Sequence, residues 1–222
     1  MSILYETAEF PLRPGRGDGL LGLTFGVWAS LALYTAWSGW AVDGGPDWLF
    51  PLLILLPIGL FVAAMGTSPS LRRWLLGLDL RLLIGLHATR TVGLGFLFLY
   101  VYAILPGGFA FPAGIGDAMT AAWAVWIAFS LGRGAPVTAR QVARWNAFGL
   151  VDFVIAVGVG LALRSDNLGG AINTDPMGTF PLALIPLFAV PLLFITHLIV
   201  AYQLRARWRE GDRIRLASID VS

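Results

Sequence analysis

The sequence predicts an all-α integral membrane bundle of six transmembrane helices and one short interfacial amphipathic helix, with both termini in the cytoplasm. Three observations carry this expectation. Hydrophobic residues make up 57% of the 222 positions and charged residues only 13%, about half of the roughly 25% charged content of soluble domains; the mean hydropathy is +0.76. The apolar residues gather into runs close to the ~20 needed to cross a bilayer. Nearly all of the fifteen basic residues, every one an arginine, fall between alternate runs.

Residues 1–19 lack the basic start, apolar centre and small-residue cleavage site of a signal peptide and read as a cytoplasmic arm. Six spans follow, over Leu20–Val42, Trp48–Met65, Leu82–Leu105, Ala118–Leu131, Ala147–Leu163 and Phe180–Leu204. Residues 20–204 thus form the transmembrane domain and 205–222 a basic cytoplasmic tail. Arg13 and Arg16 precede the first span, and Arg72, Arg73 and Arg81 lie between the second and third. Arg133, Arg140 and Arg144 lie between the fourth and fifth, and Arg205, Arg207, Arg209, Arg213 and Arg215 follow the sixth. All fall on one side, whereas Asp43, Asp47, Asp117, Asp166 and Asp175 fall on the other with Arg164. The positive-inside rule makes the arginine side cytoplasmic.

Between spans two and three, Leu71, Trp74, Leu75 and Leu78 recur at helical spacing opposite Arg72, Arg73 and Asp79, the pattern of the interfacial helix. The stretch LPGGFAFPAGIGD, from Leu105 to Asp117, holds two prolines and four glycines. It is expected to be non-helical, a re-entrant loop, a lid or a tight turn, with Asp117 capping span four. Trp40, Trp48, Trp74, Trp145 and Trp208 suit an interfacial aromatic belt, and Trp28, Trp37, Trp123 and Trp126 lie deeper, where they pack or flank an apolar ligand. Pro181, Pro186 and Pro191 interrupt the hydrogen bonding of span six. Gly22 with Gly26, and Ala156 with Gly160, are small-xxx-small signals for helix contact.

The polar residues at membrane depth carry the chemistry: His87, Arg90, Asn146, Asp152 and His197. At ~1.5 Å per residue, His87 lies about 8 Å and Arg90 about 12 Å in from the cytoplasmic end of span three, and Asp152 and His197 about 10 Å in. A charge at that depth costs ~2.5–3.5 kcal/mol even on the lenient insertion scale. Arg90 and Asp152 are therefore expected to form an ion pair, as a functional site or as a lock on helix register. Asn146 is placed at the cytoplasmic mouth, where it binds a ligand or caps span five.

Three functions fit these residues. The first is a substrate- or ion-binding site of His87, Arg90, Asn146, Asp152 and His197 that binds or passes a small solute or proton. The second is a non-catalytic accessory or assembly subunit, with other membrane subunits or a second copy as partners besides the lipid bilayer. The third is an electron carrier with b-type haem held by His87 and His197. No catalytic residue, metal-ligand spacing or serine elbow emerges, so an enzyme is the less favoured class. Absent cysteine excludes disulfides, thiol nucleophiles and iron–sulfur clusters, and absent lysine excludes Schiff-base cofactors. Nucleic acid is excluded as a partner by the apolar surface.

From about residue 68 to 202 the chain resembles a widespread family of small, uncharacterised bacterial multi-span integral membrane proteins. The likeness lies in RTVGLGFLFLY from Arg90, LPGGFAFPAGIGD, WNAFGLVDFVIAVG and FPLALIPLFAVPLLFITHL. It implies a compact bundle in a bacterial inner membrane, and one constellation of Arg90, Asp117, Asn146, Asp152 and His197. It transfers no catalytic residue. The family pattern often carries glutamine where this chain has His87, which favours a hydrogen-bonding role there over haem ligation.

Overall fold

Helix α1 covers Arg16–Ser38, α2 Leu49–Thr67, α3 Pro69–Leu76 and α4 Leu80–Gly85. A 3-10 segment, Leu86–Leu94, continues α4 directly into α5, Gly95–Val101. Then come α6, Gly107–Gly132, and α7, Ala139–Ala162. A 3-10 turn over Asp175–Gly178 and a π-helical stretch over Ile185–Ala189 lead into α8, Val190–Ile219. The computed structural model describes residues 16–39, 45, 46, 48–164, 167, 168 and 170–219, and among these no β-strand occurs. Arg13, Trp40, Asp43, Asp47 and Asp166 lie outside the described residues, as do the side chains of Arg16, Arg209, Arg213 and Arg215.

Five helical runs among the described residues are long and apolar enough to cross a membrane: Leu49–Thr67, Leu80–Val101, Gly107–Gly132, Ala139–Ala162 and Ile185–Trp208. The first expected span falls on α1, which is helical but not among these five. It lies against the bundle through Ala32 and Ala36, which pack with Phe50, Ile54, Ala183 and Leu187. Gly22 and Gly26 take no part, since a Cβ at either would meet nothing within 4 Å.

Local chemistry sets the helix ends at the arginine-rich end of the bundle. Ser68 caps α3, its hydroxyl accepting from the Leu71 amide at 3.2 Å, and Asp79 caps α4 by accepting from the Arg81 amide at 2.7 Å. Arg72 donates to the carbonyls of Met65 at 2.6 Å and Gly66 at 3.0 Å, closing the C-terminus of α2. Thr138 and Gln141 form a reciprocal capping box at the start of α7. Buried Gln203 of α8 donates to the carbonyls of Leu75 at 2.8 Å and Leu78 at 2.9 Å, fastening the α3–α4 corner to the last helix.

Two expectations change, and the interruption expected in span six takes a defined form. The LPGGFAFPAGIGD stretch is helix from Gly107 onward, with Pro112 inside it. Pro112 sits early, so it removes one backbone bond only. Gly114 serves close packing, because a Cβ there would stand 3.0 Å from the Gly93 carbonyl. Span three is not a continuous α-helix but changes pitch across Leu86–Leu94. In span six, the Leu182 carbonyl that Pro186 cannot reach accepts from the Ile185 amide at 3.0 Å, and the π-helical turn absorbs the remaining mismatch.

An apolar cluster lies at each end of the bundle. Ile84, Ile127, Val142, Trp145 and Val200 fill the arginine-rich end; Phe96, Leu105, Phe109, Ala113 and Met177 fill the other. His87, Arg90, Asn146, Asp152 and His197 lie between the two. Thr138→Ala should remove the capping-box oxygen at a cost of about 1 kcal/mol. Thermal unfolding in detergent should show a lowered midpoint that Thr138→Ser restores.

Candidate functional site: an arginine shared by two carboxylates

The 3-10 segment arranges the site's first row. At 3.0 residues per turn, positions three apart eclipse one another, and buried residues recur at that interval: Ile84, His87, Arg90, Gly93 and Phe96. An α-helix would have turned the ends of this row about 120° apart. The tighter coil keeps His87 and Arg90 on one inward line facing α6, its main packing partner.

Arg90 is the centre. Its Nε donates to Asp117 Oδ1 at 2.6 Å, and its Nη2 donates to Asp152 Oδ2. Its Nη1 lies 3.4 Å from both the Gly149 carbonyl and His197 Nε2. The guanidinium carbon rests 3.7 Å from the centre of the Phe153 ring, a cation–π contact in the bundle interior. The expected Arg90–Asp152 pair is present, but the fork is divided between two carboxylates. Asp117 is therefore no cap: it is the eleventh residue of α6 and reaches inward.

The histidines extend the network. His197 donates from Nδ1 to Asn146 Oδ1 at 2.9 Å. That bond fixes the proton on Nδ1 and leaves Nε2 an acceptor facing Arg90. His87 Nε2 and the Thr196 hydroxyl are 2.9 Å apart, and Thr196 donates to the Leu193 carbonyl at 2.7 Å. With the hydroxyl proton so placed, His87 donates from Nε2, and its buried Nδ1 finds no partner among the described residues. The two imidazoles lie against each other, 4.0 Å between centres and tilted by 42°. Trp145 packs against both rings, with its indole donating to the Thr120 carbonyl at 3.0 Å. Trp145 is fully buried and so is not part of an interfacial belt. Asn146, also buried, does not cap α7, a role Thr138 fills.

Glycines make the room. A Cβ on Gly93 would collide with the Asp117 carboxylate, one on Gly116 with that of Asp152, and one on Gly149 with the His197 ring. Sequence reasoning missed the steric part played by these glycines, along with Thr120 and Thr196; the family resemblance grouped Asp117 with the site, while the span boundaries made it a cap. The exact three-residue interval from Ile84 to Phe96 was the available signal, because it marks an inward face only if the segment is a 3-10 helix.

Bis-histidine haem ligation does not fit this arrangement. It needs two imidazoles on opposite faces of a porphyrin, yet these rings touch one another. Three of their four nitrogens are already hydrogen bonded, and Arg90 is committed to carboxylates rather than open to a propionate. Among the described residues, no three His, Asp or Glu side chains group as a metal site.

A cavity of about 60 Å³ begins at Asp117 and runs away from the histidines. Phe50, Phe96, Phe109 and Phe153 form much of its wall, and Arg164 and Thr174 lie at its far end. The Asp117 side chain is 16% exposed, against 1% for that of Arg90. The cluster thus meets this cavity through the Asp117 carboxylate.

These features define a helical protein with five runs long and apolar enough to cross a membrane among the described residues, built around a buried ionic cluster. The chain belongs to the family of a domain of unknown function, DUF8737, whose model matches residues 47–205. The match takes in every residue of the cluster and leaves α1 outside. No curated protein and no solved structure matches the chain.

Arg90→Leu should leave two buried carboxylates without their cation and cost about 3–5 kcal/mol. Combining it with Asp117→Asn and Asp152→Asn should recover much of that loss, as read by thermal unfolding in detergent. A triple variant no more stable than Arg90→Leu alone would show that the guanidinium does not hold the helices through charge.

Proposed function

We propose that this is a bacterial inner-membrane protein that crosses the bilayer six times, with both termini in the cytoplasm. Its buried site of His87, Arg90, Asn146, Asp152 and His197, joined by Asp117, binds or passes a small solute or proton. The sixth crossing is α1, whose 23 residues extend about 34 Å, enough for the ~30 Å hydrocarbon core. Arg72, Arg73, Arg81, Arg133, Arg140 and Arg144 lie near helix ends and Arg205 near the end of the apolar run Ile185–Trp208, on the side that the positive-inside rule assigns to the cytoplasm. On that orientation α3, with Leu75 inward and Trp74 partly exposed, lies along the inner leaflet.

The observation that carries the functional reading is the charge count at the site. One guanidinium faces two carboxylates, so the ionised cluster is one negative charge over, in a place where net charge is expensive. A single proton balances it. Asp117 meets the cavity on one side, and the His197–Asn146 pair stands on the other, toward the cytoplasmic end. A proton taken up at Asp117 is therefore held beside a second carboxylate and two imidazoles, groups suited to passing it on.

Two measurements test this reading. In vesicles containing the purified protein and an internal pH dye, an acid pulse should dissipate faster than in empty vesicles. Asp117→Asn and His197→Ala should each return the rate to that of empty vesicles while remaining monodisperse; equal rates for the wild type and Asp117→Asn would sink the reading. The absence of cysteine makes orientation directly readable. A membrane-impermeant maleimide added to intact spheroplasts should label Leu168→Cys and leave Ser70→Cys unlabelled, and the reverse pattern would invert the topology.

A further inference from the structure

From the cavity we infer that the site exchanges its proton for a small apolar ammonium cation, which enters between the phenylalanines and docks against Asp117. The inference rests on the proton-binding reading above and names a competing ligand for the same charge. Three observations lead to it. The cavity wall is aromatic: Phe153 already faces the Arg90 guanidinium and Phe50 that of Arg164, Phe96 and Phe109 complete the wall, and aromatic faces attract cations that shed water easily. Its inner end is a carboxylate already short of positive charge, and the more exposed of the two that share Arg90. One side of the wall is the π-helical turn, through Ile185, Pro186 and the adjoining Val190, a local distortion found most often at functional sites.

The size of the cavity limits the ligand. About 60 Å³ is more than a single water needs, ~10–15 Å³, and suits a handful of non-hydrogen atoms. At the far end of the cavity the Arg164 guanidinium lies 5.4 Å from the centre of the Phe50 ring, so like-charge repulsion directs a small cation toward the Asp117 end. The exchange balances in charge and in protons: the cluster with one proton is neutral, and a cation arriving as that proton leaves keeps it neutral. Neutrality in both states is what a site at membrane depth requires.

Tetramethylammonium is the probe, because it is a permanent cation with no proton of its own to release. Calorimetry on the purified protein, in buffers of differing ionisation enthalpy, should show saturable binding with close to one proton released per cation. Tert-butanol, of similar shape and uncharged, and pivalate, similar in shape and anionic, should not bind. Asp117→Asn should abolish binding. Val157→Phe, which narrows the cavity without touching a charge, should weaken it at least tenfold; monodispersity and an unshifted unfolding midpoint verify that each variant is folded.

Binding of tert-butanol or pivalate as strong as that of tetramethylammonium would overturn the inference, as would cation binding without proton release or unaffected by either substitution. If tetramethylammonium fails to bind while acid-pulse rates still distinguish the wild type from Asp117→Asn, the ligand inference falls and the proton reading stands. If neither experiment shows an effect, both fall.

Discussion

The structure depends on one buried guanidinium. A cation between membrane helices is tolerated only when opposite charge and hydrogen-bond acceptors surround it, and Arg90 draws these from three different chain segments. Asp117 comes from α6, Asp152 and the Gly149 carbonyl from α7, and His197 from α8. Each partner ties the segment Leu86–Leu94 to another helix. The bundle is thus held at its middle by directional contacts, while apolar clusters fill both ends. Lipid tails are as apolar as leucine, so apolar side chains alone give little preference for one helix arrangement over another. The arginine and its acceptors supply that preference.

Such a cluster demands space, and backbone geometry supplies it. Two carboxylates and an imidazole cannot approach one guanidinium unless the opposing helices carry no side chain at the points of approach, which is the part played by Gly93, Gly116 and Gly149. The 3-10 stretch meets a related demand. It presents His87 and Arg90 on one line and also lengthens the chain, by about 2.0 Å per residue instead of 1.5 Å, so the two side chains stand further apart along the axis than an α-helix would set them. His87 is thereby directed to Thr196 and Arg90 to the carboxylates.

Much of this was legible in the sequence, and what was hidden has physical causes. Spans two to six stand out because long apolar runs have no other stable form in a chain with so few charges. The Arg90–Asp152 pair was readable because a charge at depth requires a partner. Asp117 was misread for the same reason that Gly107–Gly116 was: glycine and proline signal a break in water, whereas in a packed membrane bundle they admit close neighbours. A helix starting at Gly107 instead of Ala118 moves Asp117 from an end to the interior. His87 and His197 were expected at one level of the bundle and their rings do meet, yet level does not specify ring orientation. Thr196 and Asn146 orient the imidazoles against each other, and only coordinates show that no porphyrin fits between them.

The cluster is also unequal on its two faces, and that inequality shapes any reading of its function. Toward the arginine-rich end, Trp145, the contacting imidazoles and the Ile84–Val200 packing close the path. Toward the other end, the Asp117 carboxylate meets a cavity. A site that only locked the helices together would gain by closing both faces, since each exposed carboxylate atom weakens the pair it belongs to. Passage through the site, on the reading proposed here, requires the closed face to open, and the histidine stack is its thinnest part. The buried Nδ1 of His87, with no partner among the described residues, leaves that ring tied through Thr196 alone among its hydrogen bonds. Turning it needs one bond broken, whereas moving His197 needs the loss of both Asn146 and Arg90. His87 is accordingly the element of the stack that yields first.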